Sequence, residues 1–387
     1  MIAEPEIDLR YPLTDGNIAA NNLESARQQS WNRFWQDPQR AGIAEYIVEQ
    51  EQFTAQYVGD LGALERLDAL VRHLDRLGGE SPRTAFIHAN VASMGHRFAD
   101  ARKHLAQAAV QGAEPGEINR LTLSIDQACG TSLESILDAR QSMAALSGRL
   151  EDLVPLGALL ADMRRFDEAD QIYRRALTEY HDVSPFAVAW TCFQLGVLWG
   201  ELVAEPQSSR AAGWYEKAVE YLPCYVKARV HLAEIYFNEG RLDDAEALLK
   251  PALSSGDPEV NWRLADVLAA TGRHAEAAEQ LHSARSGFET ILEKYLLAFA
   301  DHGAEFYSGS GDDARRAFEL ASVNLANRPT LRAFEQAYQT AVEAGETQAS
   351  GQILLEAGKV WGRTGAFAKS SLAGKSGARL EPGRTSS

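Results

Sequence analysis

The sequence predicts an all-α fold, a solenoid of helical hairpins, and three observations predict it. The first is a direct repeat. Leu232, Ala233, Tyr236, Gly240, Ala245, Leu249 and Ala252 return 32 residues later as Leu264, Ala265, Leu268, Gly272, Ala277, Leu281 and Ala284. A period of that length, holding two short helices, marks a stack of like units. The second is the spacing inside a unit. Leu232, Ala233 and Tyr236 form one apolar stripe at helical spacing, and Ala245, Leu249 and Ala252 form another. The third is the punctuation. Asn238-Glu239-Gly240-Arg241 breaks the helix, with Gly240 free to turn left-handed. Gly256-Asp257-Pro258 then closes the unit, Asp257 placed to cap the next helix and Pro258 to open it. One hairpin cannot bury its own stripes, so it must stack on neighbours.

Taken in order, residues 1–20 are polar and read as an extended arm. Asn21 to Trp35 reads as a first helix with Trp31, Phe34 and Trp35 on one face. Those aromatics either cap the first hairpin or form a docking patch for a partner or a second copy. Ala41–Tyr57 pairs with Leu61–Leu77, Thr84–Ser93 with Phe98–Val110 behind the Ser81 cap, and Glu117–Ala128 with Ser132–Leu146 across Gly130. Residues 21–147 are therefore diverged repeats or a separate N-terminal helical bundle. Residues 148–286 hold four clear units. The first carries Leu156, Gly157, Leu160, Phe166, Ala169, Tyr173 and Ala176. The second carries Leu195, Gly196, Trp199, Ala211, Tyr215, Ala218 and Pro223, with an insertion around Glu205-Pro206-Gln207. The 32-residue repeat supplies the third and fourth. Residues 287–361 give two further hairpins: Phe288–His302 with Ala314–Ala321 across a long flexible loop Ser308–Asp313, and Thr330–Val342 with Gln348–Ala357 across Gly345. That makes about nine helix pairs. From Gly362 the chain turns glycine- and serine-rich and basic, without a periodic stripe, so 362–387 is expected to be a disordered tail whose deletion leaves stability unchanged.

The pattern of small and large positions resembles the tetratricopeptide repeat family, on Leu232, Ala233, Tyr236, Ala245, Leu249 and Ala252 and on the matching positions of the other three units. The resemblance implies a right-handed superhelix. It also implies that the first helix of each unit lines a concave groove for an extended peptide or a helix. On that register the groove positions are Trp190, Phe193 and Gln194 in one unit, Lys227, His231, Glu234, Phe237 and Asn238 in the next, and Trp262, Arg263 and Asp266 in the next. Aromatic and cationic side chains of this kind anchor interfaces. Some family members clamp a carboxylate terminus with a lysine and an asparagine four apart. The corresponding pairs here are Val154/Ala158, Phe193/Val197, Val230/Glu234 and Trp262/Asp266, so that clamp is missing.

Composition narrows the class further. The 387-residue chain carries a net charge of −16, and residues 358–387 carry +5, which leaves −21 on the body. Such a surface repels phosphate and argues against nucleic acid as partner. No apolar run is long enough to span a membrane, and the N-terminal residues do not have the form of a secretory signal. Three cysteines, Cys129, Cys192 and Cys224, form neither a disulfide nor a zinc pattern. A cytoplasmic location follows as the expectation.

The catalytic signatures in the chain are incomplete. Gly374-Lys375-Ser376 imitates the end of a phosphate loop, but Lys369 stands where that loop needs glycine. Gly309-Ser310-Gly311 lacks the rest of a dinucleotide fingerprint. His231 and Glu234 share a helix face, yet two ligands do not make a catalytic metal site. Asp243-Asp244 and Asp312-Asp313 begin helices, where acids favour the helix dipole. The expected function is a non-catalytic scaffold or adaptor that binds a peptide or helix of a partner protein, without cofactor or metal. A regulatory or assembly subunit of an enzyme is the alternative, and an enzyme with an unrecognised site in the N-terminal third is a further one. Self-association through the Trp31–Trp35 end stays open.

Overall fold

A computed structural model describes residues 7, 9–78, 81–131 and 133–376, and every regular element among them is helical. Helix α1 (Gly16–Gln36) comes first and starts ahead of the expected Asn21, because the Asp15 carboxylate accepts the backbone N–H groups of Asn17 and Ile18. Nine hairpins follow among the described residues. They are α2 (Ile43–Phe53, prolonged by a π-turn over Thr54–Val58) with α3 (Gly62–Leu77), α4 (Pro82–Met94) with α5 (Phe98–Val110), and α6 (Pro115–Ala128) with α7 (Leu133–Ser147). Next come α8 (Leu150–Asp162) with α9 (Phe166–Thr178), α10 (Pro185–Val197, prolonged over Leu198–Leu202) with α11 (Ser208–Tyr221), and α12 (Val226–Asn238) with α13 (Leu242–Leu249, prolonged by a 3-10 turn over Lys250–Ser255). Helix α14 (Pro258–Ala270) pairs with the first part of α15 (His274–Ser308). The second part of α15 pairs with α16 (Ala314–Asn327), and α17 (Leu331–Glu343) with α18 (Thr347–Trp361). Two short helices, α19 (Gly365–Ala368) and α20 (Ala373–Ser376), end the described chain.

Three expectations are corrected by the structure. The break expected after Ser286 does not occur. Helix α15 runs through it and leaves helical geometry at Tyr295 (φ −132°, ψ 46°). Gly287 is a close-approach residue instead, since a Cβ there would stand 2.9 Å from the Pro258 side chain. The second correction concerns the tail. Residues 362–376 fold onto the body, with Ala366, Phe367 and Leu372 buried in one cluster with Trp361, Phe334 and Leu354. Composition suggested disorder, but two apolar side chains spaced for two short turns were enough to dock. The rest of the tail, 377–387, and residues 1–6 of the N-terminal arm lie outside the described residues. The Ser308–Asp313 loop is likewise held rather than loose: Gly311 N–H donates to Phe306 O at 2.8 Å and Asp313 N–H to Tyr307 O at 2.9 Å.

The stack curls until its two halves meet. Four successive hairpin turns of the N-terminal half each touch a later element. Gly59, between α2 and α3, lies against Val226 of α12 and Ser255 after α13. His96, between α4 and α5, bonds Leu297 of α15 and Asn327 of α16. Gly130, between α6 and α7, lies against Pro329 and Trp361. Arg164, between α8 and α9, bonds Glu335 of α17 and Lys369 of the tail. Ion pairing of Lys294 with Glu65 at 2.5 Å and a Tyr295 hydroxyl bond to Asp68 at 3.0 Å continue the same seam.

Candidate functional site

The curl brings the inner faces of the later helices onto one concave wall, here called the lumen wall, and charged side chains line it. Ion pairs join the helices across it, and Arg332 keeps 67% of its side-chain surface open and His302 39%.

Two chains of ion pairs cover that wall. In one, Glu201, beyond the end of α10, accepts from His231 Nδ1 at 3.0 Å, from the Tyr215 hydroxyl at 3.1 Å and from Arg332 at 3.3 Å. Arg263 on α14 spans Glu234 at 2.7 Å and Glu305 at 3.3 Å. In the other, Lys227 on α12 reaches Glu259 at 2.7 Å and Asp257 at 3.3 Å. His302 Nδ1 lies 2.5 Å from the second oxygen of Glu259, and Arg328 lies 2.6 Å from Asp301.

Partners decide the protonation states. Burial raises Glu201, but His231 and Arg332 outweigh it and hold the carboxyl down at about 2. Burial lowers Lys227, and the carboxylates of Asp257 and Glu259 overcome it and hold the ammonium above its ordinary value. Burial also lowers His302, and Glu259 and Asp301 more than reverse it, to about 9. Glu234 goes the other way: burial raises it in spite of Arg263 and His231.

The expected groove residues divide. Lys227, His231, Glu234 and Arg263 lie on the lumen wall. Phe193 does not. It is buried among Trp190, Tyr215, Tyr225 and His231, with ring centroids 5.2–5.9 Å away. Trp262 is also core. It packs on Phe288 and Phe306, donates from Nε1 to Ser310 Oγ at 2.9 Å and carries the Arg263 guanidinium on its face at 3.7 Å. Asp266 accepts from the same Ser310 hydroxyl at 2.7 Å. Trp190, Gln194 and Phe237 are half-buried, and Asn238 is exposed at the end of α12. The two large aromatics are core because a curled stack leaves gaps between units that only such rings fill.

Glu201, Glu259, Asp301, His302, Glu305, Arg328 and Arg332 were missed. One of them was findable. Lys227 and Glu259 are 32 residues apart, so they hold the same place in adjacent units and must be neighbours when units stack. The others come from segments without a readable register.

Among the described residues no group of three or more His, Cys, Asp and Glu side chains is placed to hold a metal ion, and no helix is long and apolar enough to cross a membrane. Residues 202–256, which span α11 to α13, match the family model for the tetratricopeptide repeat. That segment, about a seventh of the chain, is similar to the tetratricopeptide repeat. No curated protein sequence matches it. Among solved structures, it is similar to the C-terminal part of a TPR repeat-containing protein from Cytophaga hutchinsonii, at 14% identity over 76% of this chain and 97% of that one, with a TM-score of 0.32. It is similar to the APC/C hetero-tetramer Cut9–Hcn1 at 12% identity, covering 92% of this chain and 67% of that one, with a TM-score of 0.43. It is also similar to the apo form of the quorum sensor NprR from B. thuringiensis at 13% identity, covering 85% and 96%, with a TM-score of 0.44.

Proposed function

We propose that this tetratricopeptide-repeat protein is a non-catalytic scaffold that takes a polypeptide segment of a partner protein into its charged lumen. The observation that carries the reading is the paired wall itself. Glu201, Lys227 and Asp301 are held in their charged forms by neighbours, a state that suits recognition of a polar chain more than proton transfer. Alternating acids and bases offer a peptide backbone and its side chains exchangeable partners along several helices. The wall is preformed, so binding needs little rearrangement of each unit.

The test exchanges Arg263 and Arg332 for alanine together. Arg263 covers the Trp262 face and pairs with Glu234 and Glu305, so the double variant should melt at a lower midpoint but remain folded at the assay temperature, which circular dichroism checks. A partner identified by mass spectrometry on the native protein, and lost by at least tenfold in affinity on the folded variant, supports the reading. Equal affinity for both overturns it.

A further inference from the structure

Six of the nine described hairpin turns share one geometry. The second residue past the first helix takes a left-handed backbone, and the next N–H reaches back across the turn, as from Arg241 to Tyr236, Arg273 to Leu268, Arg97 to Ala92 and Arg165 to Leu160. In the open turns that left-handed residue is glycine, as at Gly240, Gly272 and Gly345, where a Cβ would meet nothing within 4 Å. His96 (φ 53°) and Arg164 (φ 58°) hold the same place and conformation with a full side chain. Left-handed geometry is unfavourable for such residues and persists only where the surroundings enforce it.

What enforces it is the seam. His96 Nδ1 bonds Leu297 O at 3.2 Å, and Asn327 donates to His96 O at 3.1 Å. Burial, with Arg328 adding to it, lowers His96 to about 4, so the ring is neutral and its Nδ1–H can donate. Arg164 pairs with Glu335 at 2.5 Å, donates to Leu202 O at 2.9 Å and accepts from Lys369 at 3.0 Å. Two of the four seam turns thus give up glycine to gain a contact across the seam. The other two, Gly59 and Gly130, have no room for a Cβ, whose nearest neighbours would stand 3.0 Å away.

We infer that His96 and Arg164 are latches of a seam that opens to admit the partner segment into the lumen. At His96 and Arg164 the crossing contacts are hydrogen bonds and ion pairs, which water can replace, whereas the Gly59 end is apolar, with Tyr57 packed on Phe186 and Tyr225, and stays closed. The kink at Tyr295 lies beside Leu297 as a place where α15 can bend. The role in admission rests on the function proposed above; the latch itself is read without any partner.

The experiment compares His96→Gly, Arg164→Gly and both together with the native protein and with Asp312→Gly. Asp312 is also left-handed (φ 48°), but its turn bonds within the C-terminal half. Hydrogen exchange over 294–297 and 327–335 should rise at least tenfold in the double variant, with a larger radius of gyration by small-angle scattering. Asp312→Gly should change neither. If all three glycine variants leave exchange and size as in the native protein, the residues are turn-formers only and the latch is overturned. Should the double variant fail to fold, Glu335→Gln, which removes the anionic partner of Arg164 and leaves both turns intact, must show the same rise over 327–335; unchanged exchange there overturns the latch as well. Opening without any effect on partner capture would refute the admission role and leave the latch standing.

Discussion

Glu51 is fully buried and accepts from Arg66 at 2.7–3.0 Å, from Trp31 Nε1 at 2.7 Å and from Arg27 at 3.3 Å. This ties α1, α2 and α3 together. Removing the carboxylate leaves Arg27 with Glu24 alone and Arg66 with Asp60 alone, and leaves the Trp31 N–H without its acceptor in a low-dielectric site. Glu51→Ala should therefore lose about 3 kcal/mol, measured by urea denaturation. The same logic acts on the lumen with a pH signature. His302 titrates at about 9 in the folded chain against an ordinary 6.5. Its contribution to stability is full below pH 6.5 and is lost as pH rises through 9. The native denaturation midpoint should fall over that window, and His302→Gln should flatten the fall. A parallel fall in both proteins would assign it to another group. None of this was legible in the sequence at Glu51 or His302, because an isolated acid or histidine on a helix gives no sign of what folds over it.

At the scale of a helix pair, the small residues carry the fold. A Cβ on Gly196 would stand 2.4 Å from the Tyr215 ring, and one on Gly157 would stand 2.6 Å from that of Tyr173. The same small-against-large contact therefore joins α10 to α11 and α8 to α9. Gly196→Ala should cost about 1–3 kcal/mol through overpacking, although alanine is the better helix former. A raised thermal midpoint would show that the helices can part at no cost. Ala245 of α13 has no exposed surface, and Ala245→Leu should cost about the same, roughly 1–3 kcal/mol. These contacts were legible, since Leu156-Gly157 with Tyr173 and Leu195-Gly196 with Tyr215 repeat one pattern. The course of α15 was not. The boundary read after Ser286 falls inside one continuous helical stretch, where Gly287 approaches the Pro258 side chain.

For the whole molecule, the tail closes what the repeats begin. Lys369 and Ser371 bond Arg164 O and Glu335, and Phe367 and Leu372 are buried beneath them. A chain ending after Trp361 should lose about 3 kcal/mol of stability through the exposure of those apolar side chains, read as a lower thermal midpoint. An unchanged midpoint would mean that the docked turns add nothing to the body.

The sequence by itself determined the helices, the hairpin turns and the repeating contacts inside a unit. Each of these depends on residues within one or two units of each other, and periodicity records such neighbours directly. Only the tertiary structure decided that the stack closes, that Phe193 and Trp262 fill its core, and that Glu201, His302 and Arg332 share one wall. Those outcomes depend on the small rotation between successive units, accumulated over the whole stack. No local pattern encodes that sum, so residues more than 100 positions apart, such as Arg332 and Glu201 at a separation of 131, meet without any mark in the sequence that they will.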